Sequence, residues 1–144
     1  MSHGSGDHPT LFSIGIATRW SDMDADNRIN NLIVLRYAEE ARMQWAASLE
    51  LDELAPDLMP VVATVGGVFH SPIGYPSMLN VEIACSHLGT SSLQLIFRIL
   101  DAQQPSTHYA TATATWVWVE KATLRPAPMP GKLREICQSR MASG

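Results

Sequence analysis

Cysteine is scarce in this chain: Cys85 and Cys137 are the two thiols among 144 residues. Two thiols build neither a disulfide framework nor a thiolate metal site, and both stand where a small buried hydrophobe would serve. Long hydrophobic runs are missing as well. No stretch approaches the ~18 apolar residues that cross a bilayer, and the opening Met1-Ser2-His3-Gly4-Ser5-Gly6-Asp7-His8-Pro9 has no apolar segment of the secretory kind. The expectation is a soluble, cytoplasmic protein with no membrane partner. Basic charge is in short supply, ten Lys and Arg against fourteen Asp and Glu for a net charge of −4, which argues against nucleic acid as a partner. The histidines, His3, His8, His70, His87 and His108, show no pair at ligand spacing, so neither a metal nor another cofactor is expected. Internal repeats, heptad arrays and low-complexity tracts are absent too.

What is present fits one domain of ordinary size: 144 residues with 46% hydrophobic content can bury a real core. Residues 1–10 read as a flexible tail and 11–144 as a single domain. Phe12, Ile14 and Ile16, with Trp20 in phase, alternate against Ser13, Gly15, Ala17 and Arg19, the period of a strand with one covered face. From Leu32 to about Leu51 the period becomes helical, with Val34, Tyr37, Ala38, Ala41, Trp45 and Leu49 on one stripe and no Gly or Pro to interrupt it. Arg36 with Glu40, and Glu39 with Arg42, are spaced as surface ion pairs. Residues 51–60 read as a linker.

The remainder alternates. Residues 61–70 form a strand whose Gly66-Gly67 pair suggests a bulge or a close backbone approach. Pro72, Gly74 and Pro76 make a turn, and strands follow at Leu79 to Leu88, Ser92 to Asp101 and His108 to Glu120. Their short connections require antiparallel neighbours. Ala110, Ala112 and Ala114 offer a face of methyl groups against which a helix can lie close, which places that strand near mid-sheet. Leu133, Ile136, Cys137 and Met141 allow a short closing helix. The outer positions Ile96 and Leu100 are apolar and point toward a partner. One long helix followed by a run of antiparallel strands is α+β.

Polar groups concentrate between the first strand and the helix, in Arg19-Trp20-Ser21-Asp22-Met23-Asp24-Ala25-Asp26-Asn27-Arg28-Ile29-Asn30-Asn31. A strand-to-helix junction offers unpaired N–H groups and the positive end of the helix dipole to a developing oxyanion, and a carboxylate upstream can serve as base or nucleophile. Taken singly, Asp22, Asp24 and Asp26 also read as solvated loop acids, and Asn30 or Asn31 as a helix cap.

The pattern Arg-x-x-Asp-x-Asp-x-x-x-x-Ile-Asn-Asn, followed by Tyr37-Ala38-Glu39-Glu40-Ala41-Arg42, resembles the signature of hotdog-fold acyl-CoA thioesterases of the 4-hydroxybenzoyl-CoA thioesterase-like superfamily. The resemblance continues at Pro72-Ile73-Gly74-Tyr75, Leu88-Gly89-Thr90-Ser91-Ser92 and residues 110–117. It implies a hotdog fold, an antiparallel sheet of about five or six strands wrapped around one long central helix. It also implies an acyl-CoA substrate, and a homo-oligomer that is a dimer or a homotetramer. The family's catalytic Asp falls on Asp24, with Asn30 and Asn31 positioning the carbonyl or the water beside the helix N–H groups. Asp22, Tyr37, Ser91 and Ser92 are the implied substrate contacts, and Glu39 and Glu40 are reserve carboxylates. Arg98, Lys121, Arg125 and Lys132 are available for the phosphates of coenzyme A. Where many relatives read Gly-His, this chain has Asn27-Arg28. The permanent charge of Arg28 either pairs with Asp24 or Asp26 or receives an acidic group of the substrate. That substitution keeps a second reading open, a non-catalytic module that binds acyl-CoA or an acyl carrier protein.

Overall fold

The computed structural model describes residues 8–141. Strand β1 (Phe12–Ala17) leads through a one-turn 3-10 segment at Trp20–Asp22 and a polar loop into helix α1 (Asn31–Ser48). A single-turn helix α2 (Leu51–Leu54) precedes strands β2 (Leu58–Phe69), β3 (Met78–Leu88), β4 (Ser92–Asp101) and β5 (His108–Glu120), and helix α3 (Gly131–Met141) closes the chain. The five strands form one antiparallel sheet in the order β1-β3-β4-β5-β2. The three expected strands after residue 78 form the meander that their short turns require, with β5 next to one edge and not at the centre. Strands β1 and β2 take the two edges, and α1 crosses the sheet between them.

Helix α1 is 18 residues long, about 27 Å at 1.5 Å per residue, and buries the stripe Val34, Tyr37, Ala38, Ala41 and Trp45 that its periodicity predicts. The facing residues are Val81 and Ile83 of β3, Leu95, Phe97 and Ile99 of β4, and Ala112 and Ala114 of β5, all at most 1% exposed. Both alanines are buried in one core cluster with the stripe of α1. Trp45 and Trp116 close one end of this core with ring centroids 5.9 Å apart, and the Arg42 guanidinium lies 5.6 Å from the Trp116 centroid in a cation–π contact.

Several local expectations change. Trp20 does not continue β1: it lies in the 3-10 turn and is 72% exposed, because the chain leaves the sheet after Ala17. The bulge of β2 falls at Ala63, between Val62 and Thr64, and not at Gly66-Gly67. Gly67 instead serves close approach, since a Cβ there would stand 3.0 Å from Leu35 Cδ2 of α1. The expected linker contains α2 and the start of β2, where Pro60 is tolerated because the strand is an edge. Glu39 does pair with Arg42, at 2.6 Å. Glu40 accepts from Gln44 Nε2 at 2.8 Å and makes no ion pair with Arg36.

Ile96 is already buried within the single chain, and its neighbour Arg98 is only 8% exposed. Arg98 pairs with Glu82 at 3.0 Å and donates to His8 O and Thr10 Oγ1, so it is a structural cation and not a surface contact for phosphate. Residues 8–10 of the expected tail are therefore tied to β4, while residues 1–7 lie outside the described residues. Strand β2 carries a run of exposed apolar residues, with Val61, Val65, Val68 and Phe69 37–61% exposed. Among the described residues no helix is long and apolar enough to cross a membrane.

Candidate active site

The loop between β1 and α1 is held at both ends by residues of the β2–β3 connection. Thr18 N–H donates to Ser77 O at 3.0 Å and its hydroxyl accepts from Ser77 N–H at 2.9 Å; at the other end Ile29 N–H donates to Ile73 O at 2.9 Å. Ile29, 3% exposed, anchors the loop in the core. Between these ties the loop closes on itself: Asp24 N–H donates to Arg28 O at 2.9 Å, and Asp24 Oδ1 accepts from Asp26 N–H at 2.9 Å. Asn27 supplies the left-handed residue this closure needs, with φ 59°, a conformation its short side chain tolerates.

At the start of α1 the first-turn N–H groups are largely spent. Asn30 Oδ1 accepts from Leu32 N–H at 2.8 Å as an N-cap, and Asn30 O accepts from Ile33 and Val34 N–H at 2.9 and 3.1 Å. Asn31 N–H has no acceptor among the described residues, so the expected set of oxyanion donors narrows to this one group.

Asp24, Arg28, Asn30 and Asn31 line one open cleft of about 580 Å³, whose far wall is Phe69 to Ile73 with Tyr109. Arg28 makes no ion pair with Asp24 or Asp26, so its charge is available to the cleft. Asp22 and Tyr37 are elsewhere. They line a second cleft of about 640 Å³ between β1 and the other flank of α1, with Arg19, Arg36 and Glu40. There the Tyr37 hydroxyl donates to Asp22 Oδ2 at 2.6 Å, and burial together with this bond holds the phenol above the ordinary tyrosine range. Tyr37 is a neutral donor that fixes Asp22, two residues before Asp24 yet facing the opposite way. Ser91 and Ser92 line neither cleft; Ser91 lies in the β3–β4 turn, which Arg134 of α3 clamps through Gly89 O, and Ser92 opens β4. Glu39 lies outside both clefts, engaged by Arg42.

Of the cleft wall at Phe69 to Ile73, Phe69 is expected from the sequence to help set the depth of the acyl pocket, whereas residues 70–73 were not singled out as site-forming. The signal for them was present in Pro72-Ile73-Gly74-Tyr75, since Ile73 receives the bond that closes the acidic loop. Among the described residues no three His, Cys, Asp or Glu side chains converge as metal ligands, and Asp22 turning away from Asp24 is part of the reason.

A family model described as the thioesterase-like superfamily matches residues 18–137. No curated protein matches the chain. Among solved structures, a Pseudomonas aeruginosa protein proposed to be a thioesterase is 33% identical, with TM-score 0.82, over 88% of this chain and 98% of that one. A Thermus thermophilus thioesterase solved with coenzyme A and zinc is 25% identical, with TM-score 0.75, over 92% and 96% of the two chains. A 1,4-dihydroxy-2-naphthoyl-CoA thioesterase from Synechocystis, at 17% identity and TM-score 0.77 over 88% and 94%, shares the fold. The cleft at the head of α1, the wrapped sheet and these matches agree: the chain is a thioester hydrolase of the hotdog fold and belongs to the thioesterase-like superfamily.

Proposed function

We propose that the protein hydrolyses an acyl-CoA thioester to the free acid and coenzyme A, with Asp24 as general base or nucleophile. The observation that carries this reading is the single cleft lined by Asp24, Arg28 and Asn31, in which Asn31 keeps a backbone N–H without an acceptor. Water activated by Asp24, or the carboxylate itself, adds to the thioester carbon. The carbonyl oxygen takes the negative charge facing the Asn31 N–H, and the C–S bond then breaks with the thiolate leaving as coenzyme A and taking up the proton lost by water; where the carboxylate attacked, water then cleaves the acyl-Asp24 anhydride to the free acid and restores Asp24. Arg28, with no ion pair among the described residues, receives an anionic part of the substrate. Asn30 acts by capping α1 and so aiming Asn31. A cytoplasmic site of action follows from the substrate.

A homo-oligomer belongs to the same reading. Strand β2 is an unpaired edge of 12 residues, LMPVVATVGGVF, without one charged side chain. Such an edge invites another strand, and a second copy would meet it without like-charge repulsion.

Thiol release from short, long and aromatic acyl-CoAs tests the assignment beside Asp24→Asn. Loss of turnover by a factor of about 10² or more in a folded variant is expected. Equal turnover in both proteins would remove Asp24 from the mechanism. Binding of acyl-CoA with no thiol release from any member of the panel would favour the non-catalytic module.

A further inference from the structure

Among the described residues that line the Asp24 cleft, Arg28 alone carries a permanent positive charge, and its backbone is anchored. Arg28 O accepts from Asp24 N–H at 2.9 Å, Met23 bridges antiparallel to Ile29, and the buried Ile29 donates from its N–H to Ile73 O at 2.9 Å. The guanidinium thus swings from a backbone bonded directly to that of Asp24. Arg28 is exposed and makes no ion pair among the described residues.

Lengths decide which anion this charge meets. In an acyl-CoA an arm of about thirteen bonds joins the sulfur to the nearest phosphorus, roughly 16 Å when extended. The cleft, about 580 Å³, taken as a cube is about 8 Å on a side, the cube root of its volume. With the thioester carbon at Asp24 the phosphates lie outside that span, so the anion on Arg28 belongs to the acyl group. Asp24 and Asp26 share the cleft, so a further anion gains there only in direct contact with the guanidinium, where a carboxylate accepts two parallel hydrogen bonds. The apolar lining, Val34, Phe69 and Ile73 among it, suits a short methylene spacer.

We propose that the cleft takes the half-thioester of a short dicarboxylic acid, with the far carboxylate on Arg28 and the thioester carbon at Asp24. This rests on the thioesterase reading above and names its substrate class. A diacid of about five carbons, extended, holds its end carbons about 5 Å apart, which fits within the width of the cleft. Hydrolysis consumes one water, breaks the C–S bond and releases the diacid and coenzyme A, and the far carboxylate is unchanged. Arg28 then acts in substrate choice: it favours an acyl group that ends in a carboxylate over one of the same length that ends without charge.

Two readouts on the full chain test the proposal. In thiol release, kcat/KM for glutaryl-CoA is compared with that for its methyl ester, which keeps the spacer and removes the charge. A preference for the acid of about tenfold or more is expected, falling to near parity in Arg28→Gln and kept in part by Arg28→Lys, with melting curves to confirm that both variants fold. In calorimetry the same acid and ester are compared as ketone analogues, with a methylene between sulfur and carbonyl so that no thiol leaves. The acid should bind about tenfold or more tightly than the ester in the parent and no more tightly in Arg28→Gln. A binding preference with no thiol release from any thioester would support the carboxylate contact and sink the hydrolase reading. Equal kcat/KM and equal binding for acid and ester would overturn the proposal and, where thiol is released, leave the thioesterase standing. A preference that survives Arg28→Gln overturns it as well. So does a loss in that variant shared equally by acid, ester and free coenzyme A, which would move Arg28 to the phosphates.

Discussion

Asn30 separates two roles that residue type alone would allow, aiming the helix and touching the substrate. Its side-chain oxygen accepts from Leu32 N–H at 2.8 Å, and its backbone carbonyl takes the next two N–H groups, which leaves Asn31 N–H without an acceptor among the described residues. Asn30→Ala removes the first of these acceptors and should cost about 1 kcal/mol, the middle of the range for N-cap truncations. For a chain of this length the unfolding entropy is about 0.3 kcal/mol/K, so the melting temperature should fall by roughly 3 °C. Asn30→Ser restores an oxygen acceptor without the amide, and its melting temperature should return to within about 1 °C of the parent. Turnover of the best acyl-CoA completes the test. If Asn30 is a cap, the Ser variant keeps kcat near the parent while the Ala variant loses it several-fold as Asn31 drifts. A Ser variant that melts normally but loses turnover tenfold would show the amide acting on the substrate, and an Ala variant with unchanged melting would refute the cap.

Tyr37→Phe removes the 2.6 Å bond to Asp22 and should cost about 1–2 kcal/mol at neutral pH. Since the folded phenol titrates above its ordinary value, that contribution is full below about pH 10 and is lost as pH rises through the folded value; denaturant unfolding at pH 8 and pH 11 should show the gap between the two proteins narrowing. Arg98→Ala strands Glu82 beside a half-buried site and releases His8 and Thr10, a loss of about 3 kcal/mol in thermal unfolding with KM for acyl-CoA unchanged; a raised KM with normal melting would return Arg98 to the substrate. Val65→Lys with Val68→Lys places charge on two exposed positions of β2, 52% and 61% exposed, and should convert an oligomer to a folded monomer by sedimentation; an unchanged mass would move the interface elsewhere.

Much of the fold was legible because the signals were local. The stripe Val34, Tyr37, Ala38, Ala41 and Trp45 is a property of one helix, and the limits of β4 and β5 follow from their own alternation and from the turn residues that bracket them. The order of the edges was not legible. Nothing within Phe12–Ala17 or Leu58–Phe69 says which neighbour each will pair with, since that depends on α1 carrying the chain across the sheet face. Gly66-Gly67 left a bulge and a close approach both open because glycine marks either, and only the helix above Gly67 decides for the close approach. Arg98 read as a surface cation for the same reason: its partners, Glu82 and residues 8–10, come from distant segments.

The site was legible as a loop and not as a cleft. Asp22 and Asp24, two residues apart, suggest one face by strand logic, yet the 3-10 turn at Trp20–Asp22 and the closure of 24–28 around Asn27 break that period. Tyr37 then captures Asp22 from the far side of α1, so the pair that the Asp-x-Asp pattern presents together is divided between two clefts. Asp24 is left sharing its cleft with Asp26, Arg28 and Asn31, while Asp22 shares the other with Arg19, Arg36 and Tyr37. Spacing therefore identifies which residues share the loop, while the bonds to Ile73 and Ser77, contributed from beyond β2, fix the loop whose residues divide between the two clefts.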